Sequence, residues 1–209
     1  MQGLAITDHG PALASTTPSP FFDRLHDPVP GVRLLKGMEC NIVDEHGTID
    51  FPSRYLEYSD VVLLGIHPNC AGGQSSDYYT ALLAAALRRN PFVDIVTHVN
   101  DPSFPVDFEA VATVAKELGM AMELNNSKTA LARTPPEVTG AMLTAFRKVG
   151  CRVALCSDAH AINEVGCDEA VRPLLSHFGI GEELVVNATG SSAFVFVEER
   201  RSVKLQCMH

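Results

Sequence analysis

Short apolar runs recur along the chain, and most are followed by a segment with helical spacing. Leu4–Thr7 (LAIT), Leu34–Ile42 (LLKGMECNI), Val61–His67 (VVLLGIH), Asp94–His98 (DIVTH), Ala121–Asn125 (AMELN) and Val153–Asp158 (VALCSD) read as strands, with Val185–Asn187 as one more short strand. Continuous apolar runs of this length, without strict alternation, are typical of parallel strands covered on both faces. Helices are predicted over Asp77–Arg89, which ends in two arginines, and over Val106–Leu118, with Asp107 as N-cap and Gly119 as the stop. A third spans Pro135–Val149 and stops at Gly150, and a weaker fourth spans Glu164–Phe178, interrupted by Gly166 and Pro173. The tail Ser191–Arg201 fits either a helix or an edge strand. Five prolines between Pro11 and Pro30 make that stretch a loop or lid. The alternation of strand and helix predicts an α/β fold with a parallel sheet, open or closed.

Composition narrows the function classes. The 209 residues suit one domain, here 1–209 with the Pro-rich loop at 11–30 and a C-terminal tail at 190–209. Sixteen Lys and Arg against 25 Asp and Glu leave a charge of −9, without the broad basic face of a dedicated nucleic-acid binder. No apolar run approaches the ~18 residues of a membrane span. The opening MQGLAITDHG lacks the basic start of a secretory signal. Six cysteines without a CxxC pair fit reduced thiols in the cytoplasm.

The chemistry is concentrated where the apolar runs end. Asp8 and His9 follow the first run and Glu39 lies in the second. His67 and His98 end the third and fourth, Glu123, Asn125 and Asn126 fall in the fifth, and Asp158 and His160 follow the sixth. A single strand-end histidine is more often a hydrogen-bonded structural residue. Recurrence at five of six strands is a different matter, because ionisable groups at the ends of apolar strands are costly unless paired or metal-bound. Imidazoles and carboxylates converging on one face are the ligand set of a metal-dependent hydrolase using zinc, manganese or iron. His26, His46, His177 and His209 read as solvated, with His26 the one to check because its loop follows His9.

The motifs AITDHG (5–10), KGMECNI (36–42), GIH (65–67), THVNDP (97–102), ELNNS (123–127) and ALCSDAH (154–160) come in the order of a PHP (polymerase and histidinol phosphatase) domain. From Leu4 to about Asn187 the chain resembles that family, and within it the YcdX-type phosphatases. The resemblance implies a distorted (β/α)7-type barrel with up to three metal ions, usually zinc and sometimes manganese or iron, that hydrolyses phosphate monoesters of small molecules. By matching motif, His9 would share one metal with His160, and Glu39 would bridge the other two. His67 and His98 would complete one of those, and Asp158 would join Glu39 on the last. Asp158 or His160 would orient water or protonate the leaving group, and Lys128 and Arg133 would hold the phosphate. The HxH motif of the family's first strand is absent, so the expectation is a barrel lacking its first β–α unit, about 30 residues. One strong metal site (Glu39, His67, His98) and two weakened ones are then expected. Rival readings are a PHP-type exonuclease or proofreading module, a truncated or degenerate non-catalytic PHP protein, and an amidohydrolase of C–N bonds. Oligomeric state is not legible.

Overall fold

Alternation along the strands divides the molecule into two layers. The computed structural model describes residues 2–13, 19–27, 29–70 and 72–207. Its strands are β1 (Gly3–His9), β2 (Arg33–Asn41), β3 (Val61–Gly65), β4 (Ile95–Val96), β5 (Ala121–Asn125) and β6 (Arg152–Cys156). Its helices are α1 (Ser19–Arg24), α2 (Ser76–Arg89), α3 (Phe108–Glu117), α4 (Asn126–Ala130), α5 (Pro136–Val149), α6 (Arg172–Phe178) and α7 (Gly190–Gln206). All strand pairs are parallel, in the sequential order β1-β2-β3-β4-β5-β6.

One face of the sheet carries Met38, Cys40, Val62, Leu64, Val96, Met122, Leu124, Val153 and Leu155 against buried side chains of α2, α3, α5 and α6. This is the larger core, and it explains why the runs read as continuously apolar. The other face carries Leu35, Val61, Leu63, Ile95, Ala121 and Ala154, covered by Phe196 and Val197 of α7. The residues that follow on this second face towards the strand C-termini are polar. It is therefore apolar at one end and chemically equipped at the other.

The expected barrel is not formed. Among the described strands β1 pairs with β2 alone and β6 with β5 alone, so the six strands make an open half-barrel. The physical reason lies in α7. Phe196 and Val197 bury the apolar part of the concave face, so the sheet need not close on itself to remove that surface from water. The tail is thus a helix rather than an edge strand. Its Arg200 donates to Asp94 Oδ1 (3.1 Å) and to the carbonyls of Leu118, Pro91 and Val93, while Lys204 pairs with the same Asp94.

Other sequence expectations are met or shifted locally. Asp107 caps α3 by accepting from the Glu109 and Ala110 N–H groups (2.9 and 3.0 Å), and Gly150 ends α5 at φ +67°. Only Ile95–Val96 of the fourth run is paired as strand. Val185 makes a single parallel bridge to Val153 instead of a strand. The weak fourth helix forms only from Arg172, because Gly166 sits at φ +78° and the segment before it is a short 3-10 turn at Ile162–Glu164. The Pro-rich stretch contains α1, with Phe22 stacked on Tyr55 (centroids 4.6 Å apart), and its residues 14–18 and 28 lie outside the described residues.

Candidate functional site

Parallel register places the first two strand-end groups side by side, since His9 pairs with Glu39 across β1 and β2. Glu39 is the hub. Its Oε1 lies 3.2 Å from His67 Nε2 and 3.1 Å from His98 Nε2, and the two imidazole nitrogens are 3.0 Å from one another. Its Oε2 faces His9 Nδ1 at 3.9 Å. The His67 and His98 rings meet edge to face at 4.8 Å, as do those of His9 and His67. Gly65 lies directly beneath them. A β-carbon there would sit 2.3 Å from Thr97 Oγ1, 2.9 Å from His98 Cε1 and 3.1 Å from His67 Cε1.

Hydrogen bonding alone does not satisfy this arrangement. A carboxylate oxygen and two ring nitrogens form a triangle with 3.0–3.2 Å sides, and one proton cannot bridge three edges. His67 Nδ1 is buried without a hydrogen-bond partner among the described residues. A cation held at ~2.0–2.1 Å from each ligand atom would sit naturally among donors so spaced. His9, Glu39 and His67 likewise present ligand atoms within 4.8 Å of one another, a group able to hold a metal ion.

The electrostatics follow from burial and pairing. Burial pushes the Glu39 carboxyl up, but the hydrogen bonds to His67 and His98 outweigh it and hold it well below the ordinary carboxylate range. Burial lowers the His67 imidazole, and its bond to Glu39 only partly restores it. For His98 burial again lowers, yet Glu39 and Glu123 win and the net shift is upward. Glu123, enclosed beneath His98, is raised by burial to about 7.

Around these groups opens a cavity of about 690 Å³. Asp158 and His160, both predicted site residues, line it together with His9, Glu39, His67 and His98. Asp158 accepts from Asn125 Nδ2 (3.1 Å). His160 stands at the rim with 71% of its side chain exposed, its Nδ1 3.0 Å from the Asp158 carbonyl. His9 and His160, predicted to share a metal, line the same cavity. Lys128 and Arg133 also line the cavity, in different states. Lys128 Nζ is bound to Asp101 Oδ2 at 2.5 Å, whereas Arg133 has no ion-pair partner among the described residues. Sequence reasoning passed over Asp101, although it lies in the quoted THVNDP, because nothing in the spacing pairs it with Lys128 27 residues later. His26, His46 and His177 are exposed, and His209 lies outside the described residues.

Comparison with known proteins adds to this picture. The chain is 37% identical over 207 residues to a protein named "probable phosphatase" from Caldanaerobacter subterraneus, covering 96% of this chain and 81% of that one. The chain belongs to this family of probable phosphatases. A probable phosphatase of Acetivibrio thermocellus is 34% identical over 201 residues, covering 95% and 83%, and one of Thermoanaerobacter pseudethanolicus is 32% identical over 206 residues, covering 96% and 84%. No family model matches the chain. In fold, this member of the phosphatase family is similar to a chain in the cryo-EM structure of archaeal ribonuclease P with mature tRNA, with TM-score 0.59 at 14% identity over 97% of this chain and 84% of that one. That likeness is one of fold alone. No helix among the described residues is long and apolar enough to cross a membrane.

Proposed function

We propose that this probable phosphatase is a metal-dependent phosphoesterase of the PHP type, acting on phosphate monoesters of small molecules. The triangle of Glu39 Oε1, His67 Nε2 and His98 Nε2 carries the reading, because a divalent cation satisfies all three atoms at once. Glu39, His67 and His98 would hold zinc, manganese or iron, and the second oxygen of Glu39, facing His9, would share a further ion with Asp158. When bound, such an ion supplies Lewis acidity and lowers the pKa of a water towards ~7.

The chain's own groups do the rest. Asp158, across the cavity, orients the attacking water and accepts its proton. His160 at the rim protonates a leaving group that departs towards solvent. Arg133, a cation without an ion-pair partner among the described residues, holds phosphate oxygens, and Lys128, already bound to Asp101, shapes the wall. The cavity of about 690 Å³ and the charge of −9 suit a small phosphorylated substrate better than a nucleic acid. The free thiols suit a reducing cytoplasm.

The test is metal content by plasma mass spectrometry, on protein purified without chelators, alongside hydrolysis of p-nitrophenyl phosphate. About one tightly held equivalent is expected, since one set of three protein ligands is complete. His98→Ala should lose that metal and the activity together. A His98→Ala protein that keeps both would refute the assignment.

A further inference from the structure

Of the residues flanking the cavity, two strand-end groups on β5 have no part in the function proposed above. Glu123 and Asn125 are two residues apart on the concave face, and both are buried. They lie between two of the three described non-glycine residues with positive φ, the third being Ala132 in the turn after α4. His98, after β4, has φ +30°, and Asp158, after β6, has φ +49°. Non-glycine residues hold such conformations only where their surroundings enforce them.

The enforcing bonds come from β5. Glu123 Oε2 accepts the backbone N–H of His98 at 2.7 Å. Asn125 Nδ2 donates to Asp158 Oδ2 at 3.1 Å and points towards Glu123 Oε2 at 3.4 Å. The orientation of the Asn125 amide is set independently, because its Oδ1 accepts the Lys128 N–H (2.9 Å) at the start of α4. Only the amide nitrogen is left to face the carboxylates. The polar string His98–Glu123–Asn125–Asp158 thus crosses three strands without a break.

We infer that Glu123 and Asn125 are positioning residues, a brace on β5 that sets the backbone of His98 and the carboxylate of Asp158 for metal binding. This rests on the metal-centre reading above. Residues that hold ligands in place typically change metal affinity by about 10–100-fold when removed.

The experiment is a zinc competition titration of the full chain against a chromophoric chelator, for wild type, Glu123→Ala, Glu123→Gln and Asn125→Ser. Serine still caps α4, as asparagine does, but has no amide to hold Asp158. Glutamine still offers His98 an acceptor. Zinc affinity should fall about tenfold or more in Glu123→Ala and Asn125→Ser, and stay within about threefold of wild type in Glu123→Gln. If Glu123→Ala does not fold, Asn125→Ser against wild type decides. Affinity retained in Asn125→Ser, or lost in Glu123→Gln as fully as in Glu123→Ala, would overturn the brace while leaving the metal centre standing. A wild-type chain that takes up no zinc would overturn the metal centre, and the brace with it.

Discussion

At Gly65 a single methyl group decides whether two imidazoles fit. A β-carbon there would lie 2.3 Å from Thr97 Oγ1 and about 3 Å from both the His67 and His98 rings, none of which is the far end of a long flexible chain. Gly65→Ala is therefore expected to cost about 1–3 kcal/mol, the usual penalty of overpacking a filled interior, read from urea denaturation. A cost below ~0.5 kcal/mol would mean that the rings are not packed against this strand as described. GIH was visible in the sequence as a strand-end histidine, but the reason for its glycine was not. That reason is His98, which arrives from the next strand 33 positions later.

Element by element, the strands and long helices were legible because their signals are local. Asp107 and Gly150 mark helix ends through bonds to their own backbone neighbourhood, and the arginines ending α2 through their charge at the carbonyl end of the helix. The tail was ambiguous because α7 owes its place to distant partners. Asp94, nearly fully buried, accepts from Arg200 and Lys204 of α7 and from the Val62 N–H. Burial lowers the Lys204 ammonium pKa although Asp94 opposes the shift, so Arg200 is the firmer anchor. Replacing Arg200 by alanine leaves a buried carboxylate half-paired and three carbonyls without their donor. The expected loss is about 3–5 kcal/mol by chemical denaturation, with earlier proteolysis of the tail. Unaltered stability would show that α7 is held by Phe196 and Val197 alone.

For the whole molecule, the triangle of Glu39, His67 and His98 joins the C-terminal ends of β2, β3 and β4. An ion bound there stabilises the fold by linkage, about 2.7 kcal/mol at a free concentration of a hundred times Kd. In a chain of this size that corresponds to several degrees in Tm. Chelation should lower the melting temperature by that order, readdition of metal should restore it, and His98→Ala should not respond. A wild-type melting curve indifferent to chelator would count against the metal centre.

The sequence by itself determined the parallel α/β class, most element positions and the coincidence of ionisable residues with strand ends, because periodicity, caps and apolar runs act over a few residues. Tertiary structure alone decided that the sheet stays an open half-barrel with α7 over its concave face, against the (β/α)7-type barrel short of one unit that was expected. It also decided that Glu39 meets His67 and His98 within 3.2 Å while His160 turns to the rim, and that Lys128 is taken by Asp101. These outcomes turn on edges, packing and charge pairs between residues far apart in the chain, where strand order and register, rather than any local propensity, set the distances.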